Sequence, residues 1–365
     1  MSNRPIVFFV HHQGRGHANR TMAVVRELPP ERPVTVVTAG PQLFDGFERP
    51  IDIVPLPNMI GARVRSRALF EQPTPAVMHC VPLGVPEVRA TMRTVVDTLD
   101  AHDPALFVID VSAEIALLSR ICSVPAVKIR MHGERLDPGH DGAYQSCVGM
   151  LAPFDPVLEQ PDYPDWARGK TFYSGGLCTT SDPVPDRAEA RAALGLDPDR
   201  QVILVLSGQG GSGTPLAPLT VGARAIPEAL WIVLGPVHRE GHETDFGNLV
   251  EKGWVPDVTR HIAAADLVFA SAGDNTVHEI ARVGRPYVCV PEWRYFGEQV
   301  AKAERLEAVG AAVFLPHWPG SLAPWRPLAA RALALDPQHQ RALYAPEAAR
   351  AAAGFLEERC RTLWS

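Results

Sequence analysis

The chain has 365 residues, which is too long for one ordinary hydrophobic core and suits two domains of middling size. Hydrophobic residues make up 46% of it and charged residues 21%, a balance typical of globular rather than disordered proteins. The formal net charge of −6 argues against broad electrostatic binding to nucleic acid. No apolar run is long enough for a signal sequence or a transmembrane helix, so we expect a cytoplasmic protein. A peripheral membrane contact is compatible with this composition.

Short apolar runs alternate with helical stretches in the first half of the chain. Strands are predicted at residues 6–10, 34–38, 51–54, 106–110 and 126–129. Helices are predicted between them, at residues 17–28, 85–99 and 113–121. Strands that alternate with helices favour a parallel sheet in a doubly wound α/β domain. We assign residues 1–178 to this first domain.

Residues 179–200 are rich in Pro and Asp, carry one short predicted helix at 187–194, and are predicted to form a linker. The alternation then restarts and defines a second doubly wound domain over residues 201–345. Its predicted strands are residues 201–206, 230–234, 249–255, 267–270, 287–290 and 312–315. Its predicted helices are residues 275–283 and 297–309. Residues 346–365 are predicted to form a C-terminal helix that packs back on the first domain.

Two doubly wound domains predict a cleft between the carboxyl ends of their sheets, where ligands bind in such folds. The first loop at such an end is Gln13-Gly14-Arg15-Gly16-His17. Gly14 and Gly16 permit tight turns, and the N–H groups of the helix that follows can hold an anion. Asn19 stands where a dinucleotide fingerprint has its third glycine, so that function is disfavoured.

A second glycine-rich loop, residues 207–214, also follows a predicted strand. Its glycines, with Ser207, Gly208 and Gly210 among the first residues, expose backbone N–H groups that suit a diphosphate. The loop lacks the Lys-Ser/Thr ending of a P-loop, which argues against an ATPase. A flexible loop without a ligand is the alternative.

A third turn, Ser271-Ala272-Gly273-Asp274-Asn275-Thr276, opens a predicted helix that has Asn275 or Thr276 near its N-cap. The free N–H groups and the dipole of a helix start suit phosphate. Glu279 follows one helical turn later, where its carboxylate can accept hydrogen bonds from the diol of a ribose. A purely structural role for Glu279 is equally compatible with the spacing.

This stretch resembles the carboxyl-terminal donor-binding domain of GT-B glycosyltransferases. It is similar to family 28, which includes the lipid II-forming N-acetylglucosaminyltransferase, and to the UDP-dependent glycosyltransferases of secondary metabolism. The shared motifs, in order, are Trp-x-Pro at 254–256, the turn at 271–276, Glu279, Gly-x-Pro at 284–286 and Glu298-Gln299. The resemblance implies a GT-B fold, in which two Rossmann-like domains face each other across a cleft.

The resemblance also implies roles for single residues. Asn275 and Thr276 would contact the diphosphate, and Glu279 the ribose. Glu298 and Gln299 would contact hydroxyl groups of the donor sugar. The other predicted donor-binding residues are Gly14, Gly16, Ser207, Gly208, Gly210, Trp254, Val255, Ser271 and Gly273. Family members often have His at the position of Ser271, so a different donor or a weaker grip on phosphate is open.

His17 and Asp110 are the predicted catalytic residues. Both follow strands of one parallel sheet, and in the families named above an Asp at this strand end orients the catalytic His. The alternatives are that His17 is solvated and that Asp110 caps the next helix. His132 is a rival base, and with Arg63 and Arg65 it forms the predicted acceptor site. Exposed arginines in a loop are usually just solvated, and an acidic or phosphorylated acceptor is the other interpretation.

We therefore predict an inverting, metal-independent glycosyltransferase that moves a sugar from a UDP- or dTDP-sugar to a small-molecule or lipid-linked acceptor. No cofactor, metal or nucleic-acid partner is expected beside the nucleotide-sugar substrate. A nucleotide-sugar hydrolase or 2-epimerase on the same fold is one alternative, because some such hydrolases have an Arg near the His, as Arg20 is near His17. A catalytically silent nucleotide-sugar binding protein is another.

Overall fold

The computed structural model describes residues 4–59, 62–177, 182–208, 213–239, 241 and 246–365. The chain divides into two compact units. The first domain comprises Met1–Phe154, Pro161–Gly175 and Pro346–Ser365, and the second comprises Asp155–Gln160 and Gly176–Ala345. Among the described helices, none combines the length and the apolar character needed to cross a membrane.

The first domain is built on a seven-stranded sheet in which every neighbouring pair is parallel. The strands are β1 (Ile6–Val10), β2 (Val34–Thr38), β3 (Asp52–Pro55), β4 (Leu106–Ile109), β5 (Ala126–Ile129), β6 (Gly149–Ala152) and β7 (Thr171–Tyr173). Their order is β3-β2-β1-β4-β5-β6-β7. The chain therefore winds outward from β1 and then returns to add β4 on its other side. The loops after β1 and β4 meet at this switch point, where ligands bind in such sheets.

The described residues of the first domain form seven α-helices. They are α1 (Gly16–Glu27), α2 (Arg67–Phe70), α3 (Pro86–His102), α4 (Ala113–Ile121), α5 (Pro138–Ser146), α6 (Asp165–Arg168) and α14 (Ala348–Leu363). The central strands are buried on both faces, which is why β1 and β4 read as unbroken apolar runs. Helix α14 packs against α1, and the bidentate pair between Arg32 and Glu357 holds it to the start of the domain.

The second domain has a six-stranded sheet of the same kind, also parallel throughout. Its strands are β8 (Val202–Leu206), β10 (Leu230–Leu234), β12 (Leu249–Gly253), β13 (Leu267–Ala270), β14 (Tyr287–Cys289) and β15 (Val313–Phe314). They are arranged β12-β10-β8-β13-β14-β15, and the short strands β9 (Thr214–Pro215) and β11 (Val237–His238) pair separately. The second switch point lies between β8 and β13, so the loops after these two strands meet.

In the described part of the second domain there are seven α-helices. They are α7 (Arg187–Leu194), α8 (Leu216–Ala225), α9 (Val258–Ala264), α10 (Asp274–Val283), α11 (Glu298–Ala308), α12 (Trp325–Leu333) and α13 (Pro337–Arg341). Trp231, Phe269 and Trp325 meet in the core beneath α8 and α12, and the two indoles pack edge to face with their centroids 5.5 Å apart. Gly222 of α8 lies so close to Trp231 that an added Cβ would stand 2.7 Å from its ring.

The predicted α/β fold with two doubly wound domains is confirmed, and the domain borders differ in detail from those expected. The two domains divide at Gly175 and Gly176 rather than after residue 178, and Asp155–Gln160 goes with the second domain. The predicted linker, 179–200, is not a free connection over its described part, because α7 packs against α9. Strands β6, β7, β9 and β11 and helices α2, α5, α6, α8, α9, α12 and α13 were not predicted.

Arg191 of α7 fixes this segment to the second domain. Its side chain is fully buried, and its guanidinium donates to the carboxylate of Asp266 at 2.7 Å and to the carbonyl oxygen of Ala264 at 2.9 Å. It also donates to carbonyl oxygens of the turn that enters β8, those of Asp197, Pro198 and Arg200. The same aspartate accepts from Arg187, which is 40% exposed. Arg191 thus satisfies backbone groups that would otherwise be buried without partners.

We expect Arg191→Met to lower the free energy of unfolding by about 3–5 kcal/mol, because it leaves a buried carboxylate and several carbonyl groups without a donor. Arg187→Met removes a half-exposed partner of the same aspartate and should cost about 1 kcal/mol or less. Urea denaturation of the full chain, followed by tryptophan fluorescence, measures both. Equal losses in the two variants would contradict the role given to Arg191.

Candidate active site

The predicted catalytic pair meets at the switch point of the first sheet. Asp110 directly follows β4 and is buried, and its Oδ2 lies 2.5 Å from Nδ1 of His17 in the first turn of α1. Its Oδ1 accepts from Arg20 at 2.5 Å, one turn further along the same helix. The structure therefore joins His17 to Asp110, and it adds Arg20 as a second partner of that carboxylate.

The charges around Asp110 keep it ionised. Burial by itself would raise its pKa, but Arg20 and His17 together lower it well below the usual range. A carboxylate 2.5 Å from Nδ1 fixes the tautomer of His17, because the proton then lies on Nδ1 and donates to Asp110. The Arg20 guanidinium lies 3.0 Å from the same Nδ1, because both groups face the Asp110 carboxylate. The Nε2 of His17 is left as the basic nitrogen.

Three histidines cluster at this loop. The ring of His11 stacks on that of His12 at 5.2 Å and packs edge to face against that of His17 at 5.4 Å. Burial, with the nearby His17 as the next cause, lowers the pKa of His11 to about 4. His11 is therefore neutral at physiological pH, and its Nδ1 accepts from the backbone N–H of Gln13, which shapes the glycine loop.

The glycine loop itself has two different requirements. Gly14 has a φ of +79°, a left-handed conformation that favours glycine, so the turn after β1 needs it. Gly16 is the first residue of α1, and Arg15 precedes it as N-cap without a side-chain capping bond. The N–H groups at this helix start are thus not covered by a side chain of the cap residue, as an anion site requires.

The predicted acceptor residues are not brought together. His132 is 1% exposed, and its ring packs on Phe154 with their centroids 4.2 Å apart, so it is a poor candidate for a base that must reach an acceptor hydroxyl. Arg63 and Arg65 are exposed, in the connection between β3 and α2. Nothing in the described structure joins them to His132.

A pocket of about 860 Å³ opens at the switch point of the second sheet. Seven of the predicted donor-binding residues line it, namely Ser207, Gly208, Trp254, Val255, Asn275, Thr276 and Glu279. Their loops follow β8, β12 and β13, whose carboxyl ends meet at this edge of the sheet. A pocket of this volume suits a ligand the size of a nucleotide. Gly210, also predicted, lies outside the described residues.

Glu279 is held inside this pocket by a buried polar network. It is 6% exposed, and its Oε2 accepts from Oγ1 of Thr259 at 3.1 Å. Arg282, one turn further along α10, lies 3.6 Å from the same oxygen and donates to Thr259 at 3.4 Å. A carboxylate held from one side by a hydroxyl and a guanidinium is a fixed acceptor, as recognition of a ribose diol requires. Thr259 and Arg282 were not singled out from the sequence.

The start of α10 differs slightly from the prediction. The N-cap is Gly273, without a side-chain capping bond, so Asn275 and Thr276 are the second and third residues of the helix rather than its cap. Lys302, a fully buried residue of α11, forms an ion pair with Asp274 at the first position of α10. The N–H groups of this first turn are therefore not covered by the cap residue, and the ion pair of Asp274 with Lys302 holds the turn against α11.

Glu298 and Gln299 were predicted to contact the donor sugar, and neither lines the pocket. Gln299 is buried, and its Oε1 accepts from the backbone N–H of Ala272 at 3.2 Å and of Glu292 at 2.8 Å. It ties the turn before α10 to the loop after β14, which is a structural role. Any donor contact would have to come from its amide nitrogen. Glu298 begins α11 and is half-buried.

Ser271 and Gly273 were also predicted to bind the donor. Both lie in the turn between β13 and α10, outside the lining of the pocket. Ser271 is buried, and its carbonyl oxygen accepts from the hydroxyl of Tyr287 at 2.8 Å. These two residues shape the turn that presents Asn275 and Thr276.

The titration of His11 gives a test of the first site. The unfolded chain binds a proton at His11 near pH 6.5 and the folded chain only near pH 4, so the contribution of neutral His11 to stability is complete above pH 6.5 and is lost as the pH falls toward 4. Between these two pH values we expect the free energy of unfolding of the wild type to fall by about 1–3 kcal/mol more than that of His11→Asn. Urea titrations from pH 7 to 4 check this, with the exposed His238→Asn as control. Parallel curves for wild type and His11→Asn would contradict it.

The comparisons with known proteins agree on the second domain. Residues 224–318 match the glycosyltransferase family 28 C-terminal domain, a segment that contains most of the pocket lining. Over 138 residues the chain is 37% identical to the UDP-N-acetylglucosamine–N-acetylmuramyl-(pentapeptide) pyrophosphoryl-undecaprenol N-acetylglucosamine transferase of Cutibacterium acnes, covering 36% of this chain and 37% of that protein. The enzyme of the same name from Paenarthrobacter aurescens is 34% identical over 145 residues, covering 35% and 38%. The chain thus matches little more than a third of the length of these relatives.

Solved structures resemble the whole chain. A glycosyltransferase of kitacinnamycin has a TM-score of 0.71 at 15% identity and covers 98% of this chain and 99% of its own. The calicheamicin glycosyltransferase CalG4 has a TM-score of 0.67 at 18% identity and covers 100% of both chains. MurG of Acinetobacter baumannii has a TM-score of 0.63 at 15% identity and covers 97% and 99%. Residues 224–318 are therefore similar to the glycosyltransferase family 28 C-terminal domain, in a chain that has the fold of the GT-B glycosyltransferases.

Proposed function

We propose that this protein is an inverting glycosyltransferase that takes a sugar from a nucleoside diphosphate, most simply a UDP- or dTDP-sugar, and transfers it to a hydroxyl group of a small-molecule or lipid-linked acceptor. The observation that carries the proposal is the pocket of about 860 Å³ in the second domain. The start of α10 and the carboxylate of Glu279 line that pocket together, and both lie within the segment that matches the family 28 domain.

The donor half of the reaction needs stabilisation of the leaving diphosphate. In the proposed mechanism the backbone N–H groups of Asn275 and Thr276, in the first turn of α10, hold its phosphates. Such fixed dipoles stabilise a developing anion without reorganising during the reaction, which is usually the largest single contribution to catalysis. Glu279, held by Thr259, accepts from the ribose hydroxyls and sets the position of the nucleotide. Trp254 and Val255 line the same pocket and would flank the base.

The acceptor half needs a base. In the proposed mechanism Nε2 of His17 takes the proton of the acceptor hydroxyl, while Nδ1 donates to Asp110 at 2.5 Å. The carboxylate stabilises the imidazolium that forms, as the aspartate does in serine hydrolases. One displacement by the activated hydroxyl on the sugar inverts its anomeric centre. The proton ends on His17 and the electron pair on the diphosphate.

The alternatives are less well supported. Arg20 suggested a nucleotide-sugar hydrolase, but in the structure its guanidinium forms a buried ion pair with Asp110, which gives it a role in any reaction that uses His17. The relatives that match at 34–37% identity carry the names of transferases. A silent binding protein would have no use for a histidine held against an ionised, buried aspartate.

His17→Ala should lower turnover by about 10²–10⁴, the usual contribution of a general base. Donor affinity should stay within about twofold, because the donor groups lie in the second domain. Release of nucleoside diphosphate in the presence of candidate acceptors measures turnover, and calorimetry with UDP and dTDP measures affinity. Near-normal turnover in His17→Ala would overturn the base assignment.

Asp110→Asn should lower turnover less than His17→Ala does, and adding it to His17→Ala should cost little more, because the two residues act as one unit. Additive losses would mean that Asp110 acts apart from His17.

Glu279→Ala should weaken the binding of UDP by about 10- to 150-fold, because it removes charge-assisted hydrogen bonds worth roughly 1.5–3 kcal/mol. The loss should be smaller for 2′-deoxyuridine diphosphate, which offers one ribose hydroxyl less. Glu304→Ala, at an exposed position of α11, is the matched control and should bind like wild type. Wild-type affinity in Glu279→Ala would show that the donor binds elsewhere.

A further inference from the structure

Three metal-ligating side chains meet in the first domain, outside the His17–Asp110 pair. His79, Asp137 and His140 each present one ligand atom, and these atoms lie within 4.8 Å of one another. The rings of His79 and His140 have centroids 4.5 Å apart. His79 is separated from the other two by almost sixty positions of sequence, so no local sequence motif predicts the cluster.

The position of His79 is fixed by two independent contacts. The carboxylate of Glu114, in the first turn of α4, accepts from the backbone N–H groups of both His79 and Cys80, at 2.9 and 2.6 Å. Gly139 of α5 lies against the same backbone, where an added Cβ would stand 2.7 Å from the nitrogen of His79. A side chain at position 139 would push His79 away. The loop is therefore pressed onto the start of α5 at the place where His140 and Asp137 lie.

The other two ligands are held as firmly. Asp137 is the N-cap of α5, and its Oδ1 accepts from the N–H groups of Gly139 and His140. That leaves Oδ2 facing Nδ1 of His140 at 2.5 Å. His140 is 1% exposed, so its ring cannot turn away into solvent. The carboxylate oxygen and the imidazole nitrogen thus point at each other with room for one proton between them.

We propose that His79, Asp137 and His140 bind one divalent transition-metal ion of the zinc class. The ion replaces the proton between Oδ2 of Asp137 and Nδ1 of His140, and a ring nitrogen of His79 supplies the third ligand. Two imidazoles and one carboxylate suit zinc, cobalt or nickel and do not suit magnesium or calcium, which take oxygen ligands. The two ligand atoms must separate from 2.5 Å to a little over 3 Å around a metal, which a small rotation of Asp137 provides.

A neighbouring guanidinium limits the affinity. Arg135 donates to the carbonyl oxygen of His132, and its NH1 lies 3.4 Å from Nε2 of His140. The metal therefore belongs on the Nδ1 side of the ring, which faces Asp137. The positive charge of Arg135 opposes a second cation nearby, and the described residues offer three ligands, so the site is weaker than a closed structural zinc site with four.

The ion would act on the loop before α3 rather than on sugar transfer. The residues on either side of His79 are largely exposed. A metal bond from His79 to Asp137 and His140 would tie this loop to the start of α5. This inference does not depend on the proposed glycosyltransferase activity.

The test is calorimetry of the full-length, untagged, metal-free protein with zinc chloride, and visible absorption with cobalt chloride. Wild type should bind one zinc ion per chain in the micromolar range, and cobalt should give a d–d absorption band at the same stoichiometry. His79→Gln should weaken zinc binding by at least about tenfold, as loss of a ligand does. His238→Gln, an exposed histidine of the second domain, is the matched control and should bind like wild type.

Asp137→Asn gives a second variant that retains the capping oxygen of α5 but loses the charge of the ligand, and it should also weaken zinc binding by at least about tenfold. Circular dichroism checks that each variant is folded. The proposal is overturned if folded wild type binds no zinc when protein and zinc chloride are mixed in equal amounts in the hundred-micromolar range. It is equally overturned if folded His79→Gln and Asp137→Asn bind zinc with the affinity of wild type.

Discussion

The ion pair between Asp110 and Arg20 is the interaction on which the chemistry of the first domain depends. A carboxylate buried at the end of a central strand would ordinarily take up a proton, because burial penalises its charge. Arg20 reverses that preference from within the same helix that carries His17, and it holds Oδ1 so that Oδ2 is left for the imidazole. The histidine then faces the carboxylate with its Nδ1.

In the second domain the groups available to an anion are the backbone N–H groups at the start of α10, and they are not charged side chains. The turn before α10 is braced from α11, where Gln299 and Lys302 lie one helical turn apart and reach Ala272 and Asp274. This leaves the first N–H groups of α10 in place without a capping side chain. Residues that the family resemblance assigned to the sugar thus include one, Gln299, that holds the turn before α10. The same side chain can be required for activity without contacting the donor.

The sequence could predict the fold and half of each site, and the reason is the same in both domains. Buried parallel strands appear in the sequence as unbroken apolar runs. The glycine-rich loop or small-residue turn after such a run marks the carboxyl end of the strand. These two signals located His17, Asp110 and Glu279. Their partners are distant in sequence and carry no pattern of their own. Thr259 contacts Glu279 from α9, and Lys302 contacts Asp274 from α11. His132 has the spacing of a site residue and lies in the core, because the short strand β5 ends just before a buried turn.

The charge balance of the donor pocket bears on how a nucleoside diphosphate would be held. Of the described residues that line the pocket, four are acidic, Asp182, Glu189, Asp257 and Glu279, and one, Arg260, is basic. That arginine forms an ion pair with Asp257 at 3.2 Å, and Lys302 is engaged with Asp274. Where many members of the family that it resembles have a histidine, this chain has Ser271, whose carbonyl oxygen accepts from Tyr287.

Side-chain cations in the described residues therefore offer phosphates little net attraction. The N–H groups at the start of α10 must then supply more of the attraction, and a helix start contributes of order 1 kcal/mol toward an anion. If the nucleotide binds there as proposed, its affinity should rest chiefly on Trp254, Val255 and Glu279, and its phosphates should be bound most strongly in the transition state, when their charge develops. Binding energy distributed in this way favours turnover over tight retention of the product nucleotide.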